Sequence, residues 1–275
     1  MKTKIIDFSH YSSFKIGPKK EVVLLERGDS LSDLKNHVLI GACNNTLISD
    51  NPPPLMMLSK DYDYIKIEKN RLVIGAATPS GKIASFCKKN NIANFEFLSH
   101  LPGKLGGLVA MNAGLKEYEI FNHLLSIKTL STEKKKEEIA YGYRFSDICE
   151  PILEATFELS EGFDEKQVNL FKAMRKNQPA APSAGSCFKN PHGDYAGRLI
   201  EAVGLKGVMQ GAICFSKEHA NFLINTGEGR FEDALSLIKE AQKRVHETFG
   251  IMLELEILIL DQAYMSTELI LETEH

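Results

Sequence analysis

The sequence predicts an α+β protein, and three observations carry that expectation. Short runs of strand length fill the first half, a Gly-rich stretch with no regular period interrupts the chain near Pro102, and a long amphipathic helix lies close to the C-terminus. With 43% hydrophobic and 25% charged residues, a chain of 275 residues can bury a sizeable core.

Taken in order, residues 21–26, 38–41, 55–58, 62–66 and 71–76 read as strands, because apolar residues run or alternate between turn formers. Helical spacing predicts helices over 30–36 and 80–90, and in the second Ile83, Phe86 and Cys87 share one face. Residues 101–114 hold four glycines and show neither period, which predicts a functional loop. Strands follow at 123–132 and 151–159, then helices at 165–175 and 195–203, with 177–191 as a loop and a domain hinge. The charge run at 133–138 reads as a solvated hairpin tip. In Phe231–Phe249, the residues Ala234, Leu235, Ile238, Ala241, Val245 and Phe249 trace one apolar face, and Gly250 ends the helix. A strand is expected over 252–260.

A formal charge of −3, from 33 basic and 36 acidic residues, lacks the excess that attracts nucleic acid or an anionic membrane. Five dispersed cysteines without a C-x-x-C pair read as reduced thiols of a cytoplasmic protein. The N-terminus has no signal-like apolar core, and no stretch approaches the ~20 apolar residues of a membrane span. The expectation is a chain that is neither exported nor membrane-spanning.

Neither G-x-G-x-x-G after a strand nor G-x-x-x-x-G-K-[ST] is present, which disfavours the two commonest nucleotide folds. Two glycine-containing segments, 41–50 and 103–114, could instead converge backbone N–H groups on a pyrophosphate, although taken alone each reads better as a structural turn. The segments SSFKIG (12–17), IGACNNTLISDN (40–51), LPGKLGGLVAMNAG (101–114), GYRFS (142–146), PSAGSCFKNP (182–191), AGRLIEAVGLKG (196–207), HANFLIN (219–225) and LELE (253–256) occur in that order. Together they resemble the UDP-N-acetylenolpyruvoylglucosamine reductases, from about residue 12 to residue 260.

The resemblance implies a two-part FAD-binding region of the FAD-linked oxidase type followed by a C-terminal α+β substrate domain. On this chain it divides as 1–55 completed by the tail 257–275, then 56–175, then 176–256. It implies non-covalent FAD held at Ile40, Gly41, Asn44, Asn45 and Leu47 and at Pro102, Gly103, Gly106, Gly107, Asn112 and Gly114. NADPH is the implied hydride donor and a nucleotide sugar the implied substrate, touched by Lys189, Asn190 and Asn221. No metal is implied, and the chain is expected to act as a monomer.

The implied catalytic residues are Arg144, Ser186 and Glu256: an arginine fork for a carboxylate, a hydroxyl that delivers a proton, and an acid that shares developing charge. Read singly, such residues are a surface ion pair, a turn serine and a water-facing glutamate. Glu254 is the rival to Glu256, and the motif spacing after Leu253 selects Glu256. The interval from Arg144 to Ser186 resembles the shorter class of the family, which lacks a capping loop.

One departure stands out. The family's first loop carries three glycines before serine and asparagine, whereas this chain reads Gly41-Ala42-Cys43-Asn44-Asn45, and Ala42 and Cys43 adopt φ > 0 only at a cost. Two other readings stay open: a flavin-linked oxidase, for which His100 near the second loop is the candidate linking residue, and a non-catalytic nucleotide-sugar sensor. His219 reads as a core histidine before it reads as a proton shuttle.

Overall fold

The structure, a computed structural model, describes residues 1–29, 34 and 36–264. Its contacts divide the chain into two compact units: residues 1–3, 23–42 and 56–176 in the first, and residues 4–22, 43–55 and 177 onward in the second. Segment 1–55 is therefore shared between the units. Most of the helix expected over 30–36 lies outside the described residues.

The first unit is built on a five-stranded antiparallel sheet, in the order Glu133–Lys135, Leu124–Thr129, Ile152–Glu158, Arg71–Gly75, Ile65–Glu68. Alternation places Leu72, Ile74, Ala155, Phe157 and Ile127 in the core. Helix Ser80–Lys89 buries Ile83, Ala84 and Cys87 in the same core, and Lys88 and Lys89 in its last turn face the negative end of its dipole. The charge run is not a tip: Glu133–Lys135 pairs along Leu124–Thr129, and the turn is residues 130–132.

The expected loop at 101–114 contains a helix, Leu105–Ala110. Leu105, Leu108 and Val109 have i, i+3, i+4 spacing and are buried. Two glycines in six residues lower helix propensity by about 1 kcal/mol each, which masked the pattern, and core packing of the three apolar residues offsets it.

In the second unit a four-stranded antiparallel sheet runs Ser183–Ser186, Phe222–Asn225, Ile213–Phe215, Met209–Gln210. Helix Phe231–Phe249 buries Ala234, Ile238, Ala241 and Val245 as its period predicts, and Gly250 ends it at φ 70° with its N–H donating to the His246 carbonyl at 2.8 Å. Phe249 departs from the apolar face, at 39% exposed, and the Arg198 guanidinium lies over its ring. The strand expected over 252–260 shortens to Leu258–Leu260, which runs parallel to Thr46–Ile48. Strand Ser183–Ser186 lies inside the stretch expected to be loop. Among the described residues, no helix is long and apolar enough to cross a membrane.

Candidate functional site

A cavity of about 490 Å³ opens in the first unit, within the usual range for a cofactor or small-molecule pocket. Its wall is mostly aliphatic, with Val38, Leu39, Met56 and Ile152 among the lining residues, and four predicted residues line it: Ile40, Gly41, Gly106 and Gly107. A Cβ on Gly107 would meet nothing within 4 Å, so this glycine leaves open space, whereas one on Gly106 would lie 3.1 Å from the Ala76 Cβ. Helix packing against Ala76 therefore favours glycine at 106 on its own. The N–H groups of Leu105 and Gly106 donate to the carbonyls of Thr78 (3.0 Å) and Ala76 (2.9 Å), so they do not belong to an anion nest.

Three polar side chains of the cavity wall escaped the sequence reading: His37, Lys104 and Glu150. The Nδ1 atom of His37 is buried and has no hydrogen-bond partner among the described residues, which is costly unless a ligand supplies one. Two contacts of 2.7 Å from the Ser131 hydroxyl hold the Glu150 carboxyl below its usual range, so that wall keeps a carboxylate. Lys104 lies within the glycine-containing segment 101–114 but was not singled out there, and His37 and Glu150 sit in no motif.

The other expected cofactor residues lie elsewhere. Asn112 is buried, and its amide donates to Glu119 (2.8 Å) and to the Gly142 carbonyl (2.9 Å) while accepting from the Phe121 N–H, so it braces the first unit internally. Gly114 pairs with Glu119, where a Cβ would come within 2.3 Å of the Tyr118 carbonyl oxygen; packing alone demands glycine there. Pro102 and Gly103 precede the short helix and do not line the cavity; Gly103, at φ 151°, accepts from the Ser80 N–H.

Asn44, Asn45 and Leu47 belong to the second unit, where Leu47 is a buried strand residue and the Asn45 amide donates to the Glu256 carbonyl at 2.7 Å. The atypical first loop bends at Cys43, which is buried and takes φ 51° despite its Cβ. Ala42 keeps an ordinary φ. The Ser13 hydroxyl faces the carbonyls of Cys43 (3.4 Å), Asn44 (3.2 Å) and Ser183 (2.7 Å), which fastens the loop from inside the unit.

Arg144 stands in the first unit, in the two-residue turn joining Tyr141–Gly142 to Phe145–Ser146. Its backbone is left-handed at φ 54°, its guanidinium donates to the Gly114 carbonyl at 2.9 Å, and the group lies 5.1 Å from the Tyr143 ring centroid. A strained non-glycine residue in a tight turn, with its head group held by two neighbours, is a pattern associated with functional positions.

Ser186 and Glu256 lie together in the second unit. Strand Ser183–Ser186 bulges against Phe222–Asn225, with Ser183 facing Ile224, Ser186 facing Phe222, and Gly185 at φ 82° absorbing the extra residue. One residue further on, the Cys187 carbonyl accepts from the Glu256 N–H at 2.9 Å, and Phe188 bridges Leu255. Burial, and then the Glu256 charge, push the Cys187 thiol upward, which places the carboxylate near that sulfur.

Lys189 pairs with Glu254 at 3.5 Å, and the exposed Asn190 accepts from the Ala196 N–H at the start of a helix. Asn221, expected to touch the substrate, is turned to the interior of its own unit. It is 3% exposed, and its side-chain amide is committed to the main chain of Phe188. His219 is half-buried with its pKa lowered by burial, and its Nδ1 accepts from the Asn221 N–H, as suits a core histidine.

Residues 177–260 match a family described as the C-terminal domain of UDP-N-acetylenolpyruvoylglucosamine reductase. A Helicobacter hepaticus protein named UDP-N-acetylenolpyruvoylglucosamine reductase is 50% identical over 262 residues, covering 94% of this chain and all of that one. A Campylobacter jejuni protein of the same name is 47% identical, covering 93% of this chain and 100% of its own length. The crystal structure of a UDP-N-acetylenolpyruvylglucosamine reductase from Thermus caldophilus superposes with a TM-score of 0.79 at 27% identity, over 94% of this chain and 99% of that one. Likeness of this extent in sequence and in fold places the chain in one group: it belongs to the UDP-N-acetylenolpyruvoylglucosamine reductase family.

Proposed function

We propose that the chain reduces the enolpyruvyl ether of UDP-N-acetylglucosamine enolpyruvate to UDP-N-acetylmuramate, with FAD as its bound cofactor and NADPH as the external reductant. The end-to-end match to reductases of that name carries the reading. The cavity of the first unit fits it, because an apolar wall, glycine at 41, 106 and 107, and the orphaned His37 nitrogen suit a largely aromatic, hydrogen-bonding cofactor. In this reading residues 1–55 with 257–275 and residues 56–175 form the two-part FAD region, and residues 176–256 the substrate domain. When bound and reduced by NADPH, FAD would supply hydride-transfer chemistry at the methylene carbon of the substrate.

The chain's own residues do the rest. Arg144 binds the substrate carboxylate with its planar fork and stays cationic while charge develops there. Its stacking on Tyr143 and its bond to the Gly114 carbonyl limit the geometries it can adopt before the substrate arrives. Ser186 delivers a proton from its hydroxyl to the carbon next to that carboxylate, and Glu256, held beside the Cys187 carbonyl, shares the developing charge. Lys189 and Asn190, three and four residues past Ser186, face the diphosphate or sugar.

The test is spectroscopic. Purified protein should carry about one releasable FAD per chain, NADPH should bleach it without oxygen, and the enolpyruvyl nucleotide should then restore the absorbance. A protein that bleaches but is not reoxidised by this nucleotide is a different reductase, and one that binds no flavin overturns the reading altogether.

A further inference from the structure

The segment that carries Ser186 is gripped on both flanks, and one of the grips is a side chain. On one flank the Cys187 carbonyl accepts from Glu256 and the Lys189 N–H donates to the Glu254 carbonyl at 2.9 Å. On the other flank the backbone ladder to Phe222–Asn225 ends at Ser186, and beyond it Asn221 takes over. Its amide oxygen accepts from the Phe188 N–H at 3.0 Å while its amide nitrogen donates to the Phe188 carbonyl at 2.7 Å. Its own carbonyl accepts from the Cys187 N–H at 2.7 Å. One buried carboxamide therefore pairs with both polar groups of a peptide residue, as a neighbouring strand would.

We propose that Asn221 is a positioning residue for the reduction: by completing the ladder past Ser186 it sets the direction in which the Ser186 hydroxyl is presented beside Glu256. The inference rests on the proton-donating role read for Ser186 above. A bulge with Gly185 at φ 82° lies just before Ser186, so the backbone upstream is easily re-aimed and the register downstream must come from another anchor. Phe188 is fully buried, with its ring stacked against Phe215, so the anchor is rigid once Asn221 has closed it. Asn221 is itself held, its N–H donating to His219 Nδ1 at 3.3 Å. A misplacement on the order of 1 Å at a reacting group costs about 10²-fold in rate.

The experiment uses the full-length flavin-loaded chain with Asn221→Ala and Asn221→Asp. Wild type must first show anaerobic bleaching by NADPH and recovery with the enolpyruvyl nucleotide; if it does not, the functional reading fails and not this inference. With that control passed, Asn221→Ala should reoxidise about 10- to 100-fold more slowly at saturating nucleotide. Its flavin content, its rate of reduction by NADPH and its nucleotide Kd should stay within about threefold of wild type, the split expected of a group that acts on presentation and not on binding. Amide exchange at Phe188 should lose protection in the same variant.

The aspartate supplies the discriminating readout. Ionised, it has no donor for the Phe188 carbonyl; protonated, it offers one donor and one acceptor and can close the clamp again. The rate of Asn221→Asp divided by that of wild type should therefore rise as pH falls from 8 to 6, burial having raised the new carboxyl's pKa. The division removes the pH dependence common to both proteins, to which His219, Glu256, Cys187 and Glu254, facing the same segment, contribute. Should the alanine variant fail to fold, this ratio alone decides. Reoxidation at the wild-type rate in Asn221→Ala, equal loss in both half-reactions, or a flat ratio for Asn221→Asp overturns the proposal.

Discussion

Arg144 and Ser186 illustrate how much a single residue's surroundings constrain its chemistry. Arg144 holds a left-handed backbone that costs an L-residue about 1–2 kcal/mol, and its guanidinium is oriented by Tyr143 and the Gly114 carbonyl. Lysine would keep the charge but lose the fork, so Arg144→Lys should slow reoxidation by the nucleotide on the order of 10²-fold, the usual effect of deleting one oriented charge-stabilising donor. Flavin reduction by NADPH should change far less, and an equal fall in both stopped-flow phases would assign Arg144 another role. Ser186→Ala should likewise spare reduction and slow reoxidation by roughly 10²–10⁴-fold, the range for a positioned general acid. Cysteine at 186 should recover part of the rate, because a thiol also carries a transferable proton. Normal turnover in the alanine variant would move the proton source to water or Glu256.

At the scale of elements, the short helix Leu105–Ala110 separates glycines that look alike in sequence. Gly107 borders the cavity with free space where a Cβ would go, so Gly107→Val should lower flavin occupancy with little change in the Tm of the flavin-free protein. Gly106 lies against Ala76, so Gly106→Val should destabilise the fold by about 1–3 kcal/mol through overpacking, as measured by urea unfolding of the flavin-free protein. If the two variants behave alike, the helix does not sit as described. These distinctions show what was legible in the sequence. Helix Phe231–Phe249 was readable because its core face repeats over several turns, and strand Arg71–Gly75 because aliphatic residues run between turn formers. Leu105–Ala110 was not, because glycine mimics loop composition in a helix too short to show its period. The Asn221 clamp was not either, since an asparagine that replaces a strand leaves no pattern; only the fold reveals that its amide faces Phe188. Cys43 takes the left-handed φ that its Cβ makes costly, and contacts from Ser13 to the loop carbonyls hold it there.

Across the whole molecule, the cysteines that sequence marks as reduced thiols are mostly buried, and burial couples them to stability. The Cys87 thiol, in the core of the first unit, is pushed from 9.0 up to about 12, first by burial and then by the charge of Glu96. Burial likewise raises Cys187 and Cys214 in the second unit. A thiol whose folded pKa exceeds its unfolded value leaves stability intact below pH 9, where both states hold the proton. Above that the unfolded chain ionises first, so stability falls as pH climbs towards the folded value, by up to about 1.4 kcal/mol per pH unit for each such thiol. Urea unfolding under reductant, followed by far-UV circular dichroism because the chain has no tryptophan, should therefore show a steep loss between pH 9 and 10.5. Cys87→Ala separates this cause from the general effect of alkali. The variant should start about 1–2 kcal/mol less stable at pH 8, having lost buried volume. It should then lose about 1 kcal/mol or more less than wild type by pH 10.5, since one ionising group is gone from the unfolded chain. Parallel curves for the two proteins would mean that the Cys87 proton is not held by the fold, and that alkaline unfolding has its origin elsewhere.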